Sequence, residues 1–168
     1  MAIDMSDAVA NEPTQMDILD AFREPLWEND SRFTVLQGGG GSGKSHAICQ
    51  YLCYLFMTYD DIIIAVVRES MPILKKTVYM GDPSIVRMLR EWNVPVDDWW
   101  NKTDTTITNP CNKSEFRFIG LDSSEKIKSQ NWNYCWKTLS GPWVRIFRFL
   151  PAQPVLNCSK PWTMSCPT

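Results

Sequence analysis

The chain has 168 residues, of which 44% are hydrophobic, and a formal net charge of −2. That balance suits one globular domain with its own core and excludes an intrinsically disordered chain. The longest apolar run, residues 62–67, is the size of a strand and far short of a membrane helix. The start, Met1-Ala2-Ile3-Asp4, has neither the basic head nor the apolar core of a secretory signal. Six cysteines form no C-x-x-C pair and no zinc-ligand pattern; Cys49 and Cys53, one helical turn apart, read as reduced core residues, and an intracellular protein is expected.

Residues 1–12 read as a frayed start. Met16, Leu19 and Phe22 recur at helical spacing and predict a short helix over residues 14–22, ended by Pro25. Trp27 leads to a β-prone run at residues 32–37. A glycine-rich loop follows, then residues 46–57, apolar enough for a buried helix. Asp60-Asp61 marks a turn, and residues 62–67 read as a strand buried on both faces. Such a strand after a crossover helix implies a parallel βαβ unit. Arg68-Glu69-Ser70 stands at its C-terminal end, where open α/β sheets place ligand-contacting groups. A helical stretch at residues 73–92 is interrupted by Gly81-Asp82-Pro83, and Pro95, Asp97 and Asp98 mark a loop. Residues 103–109 and 114–119 predict a hairpin, with Phe116 and Phe118 on one face and Arg117 on the other. Residues 123–130 read as a short helix or loop, and no internal repeat is present.

The loop carries the chemistry. Gly38-Gly39-Gly40-Gly41-Ser42-Gly43-Lys44-Ser45 fits G-x-x-x-x-G-K-[ST] without a gap. Glycines let the backbone curl so that successive N–H groups face phosphate oxygens. The Lys44 ammonium can reach the β- and γ-phosphates, and the Ser45 hydroxyl can ligate Mg²⁺. A helix starting near Gly43 places the positive end of its dipole under the anion. A flexible Gly/Ser linker would have the same composition, but strand before and helix after favour a nucleoside triphosphate site. His46, the one histidine, is expected to pack at the helix start, and Trp99-Trp100 to pack in core or loop.

With these segments in order, residues 20–131 resemble the N-terminal ATPase domain of phage terminase large subunits, the motors that package viral DNA. The resemblance rests on Phe22-Arg23-Glu24-Pro25-Leu26-Trp27 before the strand and glycine loop, then Val67-Arg68-Glu69-Ser70 and Leu74-Lys75-Lys76-Thr77-Val78-Tyr79. The most specific parts are Glu115-Phe116-Arg117-Phe118-Ile119-Gly120-Leu121-Asp122 and Glu125-Lys126-Ile127-Lys128-Ser129. It implies an α/β P-loop NTPase with a mainly parallel sheet flanked by helices, with ATP and Mg²⁺ as cofactors. It further implies Lys44 as a catalytic residue and hydrolysis coupled to translocation of double-stranded DNA. The implied partners are a portal protein, a small terminase subunit and further copies in a ring, in the host cell cytoplasm and without a membrane. Many family members carry an arginine at the loop position of Gly40. Its absence leaves Arg68 as a possible phosphate or coupling contact, or as an exposed charge ending a strand. Lys75, Lys76, Lys126 and Lys128 could touch DNA phosphates or form a solvated face. Trp27 falls where family members approach the adenine. Alternatives are another P-loop NTPase or kinase, which would need a lid and an acceptor site not seen here, or a non-catalytic nucleotide-binding fragment.

The net charge hides a division. Residues 1–125 hold all 19 acidic residues and 11 basic ones, a charge of −8; residues 126–168 hold six basic residues and no acid. The latter stretch also holds five of the 11 prolines and four of the eight tryptophans. ATP hydrolysis calls for an apolar strand ending in carboxylates that hold Mg²⁺ and polarise water. Within the chain's own frame, Asp97, Asp98, Asp104 or Asp122 would have to serve. The genetic code offers another source. Asn133-Tyr134-Cys135-Trp136-Lys137 followed by Thr138 must be encoded AAY-TAY-TGY-TGG-AAR-ACN. Read from the third base of the Asn133 codon, this gives Leu-Leu-Leu-Glu and then Asp or Asn, whatever the synonymous choices. The expected organisation is therefore a lead-in at residues 1–30 and a partial P-loop ATPase domain at 31–131, incomplete at its C-terminus. Residues 132–168 would be an aberrant, out-of-frame, poorly ordered basic tail. The competing reading is a nucleic-acid-binding tail that stacks bases on Trp143 or Trp162. The family's nuclease activity is expected to lie outside this chain.

Overall fold

The computed structural model describes residues 18–29, 31–76, 84–121, 132–138 and 143–148. A single turn, α1 (Asp20–Phe22), continues as a wider π-type helix over Arg23–Glu28. Pro25 therefore lies inside a helical stretch and does not end it. β1 (Phe33–Gln37) alternates, with Thr34 and Leu36 buried and Phe33, Val35 and Gln37 exposed. α2 (Lys44–Thr58) is buried around most of its circumference, through Ile48, Cys49, Leu52, Cys53, Leu55 and Phe56 among others. β2 (Ile63–Arg68) is buried on both faces over Ile64–Val67, as its unbroken apolar run demands.

Two short helices follow. α3 (Met71–Leu74) carries Pro72 in its first turn, and α4 (Ile85–Glu91) is capped by Ser84, whose Oγ accepts the Arg87 N–H at 3.1 Å. The sequence reading treated this region as one interrupted helix; residues 77–83, with Gly81-Asp82-Pro83, lie outside the described residues. β3 (Trp100–Asn101), β4 (Thr106–Thr108) and β5 (Glu115–Gly120) form an antiparallel meander, so the expected hairpin is present with a further strand on its outer side. β6 (Tyr134–Thr138) and β7 (Trp143–Arg148) complete the sheet.

The strand order is β1-β7-β6-β2-β5-β4-β3. The pairs β2–β5 and β2–β6 are parallel; β1–β7, β7–β6, β5–β4 and β4–β3 are antiparallel. The sheet is therefore mixed and mostly antiparallel, which corrects the expectation of a mainly parallel one. Connection length explains the difference. Only four residues separate β6 from β7, too few for a crossover, so the chain must turn back on itself. β6 and β7 both come from the segment expected to be poorly ordered, and β6 sits in the middle of the sheet. Its start is pinned to β2: the Ile63 N–H donates to Asn133 Oδ1 at 2.6 Å, and the Asn133 N–H donates to the Ile63 carbonyl at 2.9 Å.

The main core lies on one face of the sheet. Helices α2 and α4 pack there against Leu36, Ile64, Val66, Phe116, Phe118, Tyr134 and Trp136. Phe56 of α2 meets Phe116 at 4.6 Å between ring centres. On the opposite face Ala65, Val67, Ile119 and Cys135 form a smaller cluster. No described helix is long and apolar enough to cross a membrane.

The C-terminal end of α2 is closed by the turn before β5. Asn112 Nδ2 donates to the Phe56 carbonyl at 2.8 Å, and Ser114 Oγ donates to the Tyr59 carbonyl at 2.6 Å. The same Ser114 oxygen accepts the Ile62 N–H at 3.3 Å, and the residue is fully buried. Ser114→Ala removes the partner of two buried backbone groups and should cost about 1–3 kcal/mol in urea denaturation, with the fold retained. Burial also raises the Cys49 thiol from 9.0 to about 12 and the Cys53 thiol well above 9.0. Both protons are held more tightly in the folded chain than in the unfolded one. Stability against urea should thus be unaffected by these thiols below pH 9.0 and should fall as pH rises from there towards 12.

Candidate functional site

The glycine loop joins the end of β1 to the start of α2, and two of its glycines are conformationally required. Gly41 and Gly43 have φ of +75° and +79°, in the left-handed region. Gly43 is also the residue from which α2 departs, with no side-chain cap, so the first-turn N–H groups face outward unclaimed by a side chain. A Cβ on Gly43 would lie 2.9 Å from Leu19 Cδ1, because the lead-in helix rests on the loop at this point. Around Gly39 and Gly40 a Cβ would meet open space, so nothing steric in the structure requires glycine at Gly40.

Lys44 closes the loop from within. Its ammonium donates to the Gly38 carbonyl at 2.7 Å, the Gly39 carbonyl at 2.8 Å and Ser42 Oγ at 2.7 Å. All three of its donors are thereby used, and the side chain is buried although it carries charge. Gly38 leaves the room: a Cβ there would stand 3.3 Å from Lys44 Nζ. Ser45, half-buried, follows in the first turn of α2. The eight residues Gly38, Gly39, Gly40, Gly41, Ser42, Gly43, Lys44 and Ser45 thus form one turn closed around the Lys44 ammonium.

Arg68 ends β2, three strand spacings from β1, or roughly 14 Å at the backbone. It is not the exposed strand-end charge that one sequence reading allowed, but half-buried. Its guanidinium carbon lies 5.9 Å from the centre of the Trp136 ring, and its Nε is buried without a hydrogen-bond partner. Desolvation lowers its pKa, and its charge in turn opposes the upward shift of the Cys49 thiol. Cys49 stands one turn beyond Ser45 on α2, so Arg68 looks onto the helix that carries the loop.

Of the acids weighed in sequence, those among the described residues do not reach this place. Asp97 pairs with Arg90 at 2.6 Å on the surface. Asp104 accepts from Asn101 Nδ2 at 2.7 Å and lines an open cleft of about 650 Å³ with Glu115 and Arg117, beyond β5. That is five strand spacings from β1, roughly 24 Å. Asp98 is exposed in the loop before β3, and Asp122 lies outside the described residues. Among the described residues no group of three His, Cys, Asp or Glu side chains could hold a metal ion. Lys137 occupies the end of β6 at this edge, half-buried.

Other expectations sort plainly. His46 is exposed rather than packed, because it falls on the outward face of the first turn. Trp27 is buried and meets Tyr51 edge-on at 5.0 Å, so it serves the core beneath α2 and presents no platform for a base. Trp99 and Trp100 pack against the main core. Lys75 and Lys76 are exposed, whereas Lys126 and Lys128 lie outside the described residues. The contact of Leu19 with Gly43 went unread, although Leu19 and Phe22 at helical spacing carried the signal. Gly43→Ala should lower stability by about 1–2 kcal/mol in urea denaturation, the cost of a left-handed alanine, while Gly39→Ala, at an open position without positive φ, should leave it unchanged.

A protein-family model described as phage terminase large subunit matches residues 30–144, which spans β1 through β6 and into β7. No curated protein and no solved structure matches the chain. With well over half of its length matched, the chain belongs to the phage terminase large subunit family.

Proposed function

We propose that the chain is the ATP-binding part of a viral DNA-packaging motor, with a P-loop NTPase fold and the triphosphate held by Gly38 to Ser45. The observation that carries this reading is the buried ammonium of Lys44, held by three oxygens of its own loop. A cation kept at that place is poised for an anion: incoming β- and γ-phosphate oxygens take over from Gly38, Gly39 and Ser42 as its acceptors. The unclaimed N–H groups at the start of α2 and the curled glycine backbone supply further donors, aided by the helix dipole.

The donor set fits the phosphates better than the metal. Mg²⁺, when bound, neutralises charge between the β- and γ-phosphates; here Ser45 is the hydroxyl that would hold it, with the remaining ligands from phosphate and water. Arg68, half-buried and short of one hydrogen-bond partner, is placed to answer charge on the terminal phosphate or on a neighbouring subunit. The motor would grip double-stranded DNA through phosphates, without reading bases, so DNA binding should weaken steeply with salt. A portal protein, a small terminase subunit and a ring of copies in the host cytoplasm complete the proposal by family membership.

Binding and turnover separate in this chain, because Asp97, Asp98 and Asp104, the described acids weighed for catalysis, lie on the far side of the sheet from the loop. Titration calorimetry with Mg-ATP should show binding that Lys44→Ala weakens by about a hundredfold or more, the loss of charge-assisted contacts worth some 3 kcal/mol. Circular dichroism should confirm that the variant is folded. Equal affinity in the folded variant would sink the assignment. Steady-state turnover should stay below the ordinary enzymatic range of roughly 1–10³ per second.

A further inference from the structure

The edge of the sheet that carries the loop combines two unmet needs. Arg68 brings a half-buried guanidinium with an Nε that finds no acceptor, and beside it Trp136 Nε1 is buried without one. Both lie on the main-core face of the sheet; Lys137, the next residue of β6, pairs in register with Val67 and belongs to the opposite face. A partly buried guanidinium short of an acceptor is costly, and an oxygen acceptor at the end of β6 on the Arg68 side would satisfy it. The position also demands an apolar strand, since Tyr134, Cys135 and Trp136 are all buried in the middle of the sheet.

The overlapping frame meets both needs at this strand. Its forced product, Leu-Leu-Leu-Glu followed by Asp or Asn, is apolar on both faces and then acidic. The glutamate codon takes the last base of Trp136 and the first two of Lys137. The next codon runs into Thr138, so the acid falls at the end of β6. Lys137 pairs in register with Val67, so the forced glutamate falls on the face away from Arg68, and the following Asp or Asn takes the position of Thr138, one step on and level with Arg68. A TGA stop in that frame would need a following codon beginning GA, which only Asp and Glu supply, and residues 134–168 contain neither. No codon in the same stretch forces TAA or TAG. The charge break near residue 125 therefore coincides with a second frame that the amino-acid sequence leaves open.

We infer that residues from about 133 onward are read out of frame, although the family match runs on to residue 144 through the β-prone residues of β6, and that the gene encodes in the overlapping frame the acidic strand that pairs with β2 and ends level with Arg68. The frame assignment stands on codons and strand geometry; only the role of the carboxylate, holding Mg²⁺ or orienting water, rests on the proposed ATP site. The strand survives the shift for a simple reason. A thymine in the second codon position of one frame, which encodes Leu, stands first in the other, where it encodes Tyr, Cys or Trp. Apolar, β-prone residues result either way.

The test is the nucleotide sequence of the gene, joined to peptide mass spectrometry of the protein from its native source. We expect the frame encoding Leu-Leu-Leu-Glu to stay open for at least about a hundred codons beyond β6, a domain's length, with acidic residues at ordinary density. Peptides carrying that acidic strand should follow residues 1–121. A stop codon before that length overturns the inference, and so does a native product whose peptides continue through Trp143 to Thr168. Neither outcome depends on whether Lys44 binds ATP.

Discussion

Helix α2 is the element on which the rest depends. It begins in the glycine loop and ends in the core, so the residues that would meet a ligand and those that hold the fold are turns of one rod. Its first turn carries Lys44 and Ser45, its middle presents Cys49 towards Arg68, and its last turns pack Phe56 on Phe116. The carbonyls at its far end are taken by Asn112 and Ser114. Burying ten of its fifteen residues fixes the axis, and with it the direction in which the first-turn amides point.

The sheet supplies the second constraint. β2 lies near its centre and is paired in parallel on both sides, so its end, and the ends of β5 and β6, open onto one edge. β1 runs in the same direction as β2, although β7 and β6 stand between them. The loop and Arg68 therefore share an edge across a gap that two strands fill. What fills that gap decides the electrostatics of the edge. In this chain it carries Lys137, level with Val67, and Asp97 and Asp104 sit elsewhere, tied to Arg90 and Asn101.

Much of this was legible in the sequence. The loop, the helix after it and the buried strand at Ile63–Arg68 are local features, dictated by glycine spacing and apolar runs. The hairpin of β4 and β5 was likewise signalled by Pro110 to Lys113. The sheet's handedness of pairing was not, because it depends on a four-residue connection in a segment whose composition read as disorder. The burial of Trp27 and the exposure of His46 also escaped. Each depends on which way a side chain turns relative to α2, and neither periodicity nor motif records that. The partners of Lys44 were hidden for a related reason: a motif states what a lysine can reach when phosphate is present, not what holds it otherwise.

β1 bears the loop and is also the last strand on its side of the described sheet. Phe33 and Val35 remain 64% and 48% exposed on one of its faces, and among the described residues no strand pairs with its other side. An edge of this kind, apolar and uncharged along its length, invites pairing with another strand. Concentrating the purified chain would therefore favour association through β1. Because Gln37 runs directly into Gly38, a strand docked there would stiffen the loop's anchor, so colloidal behaviour and ligand affinity would drift together with protein concentration.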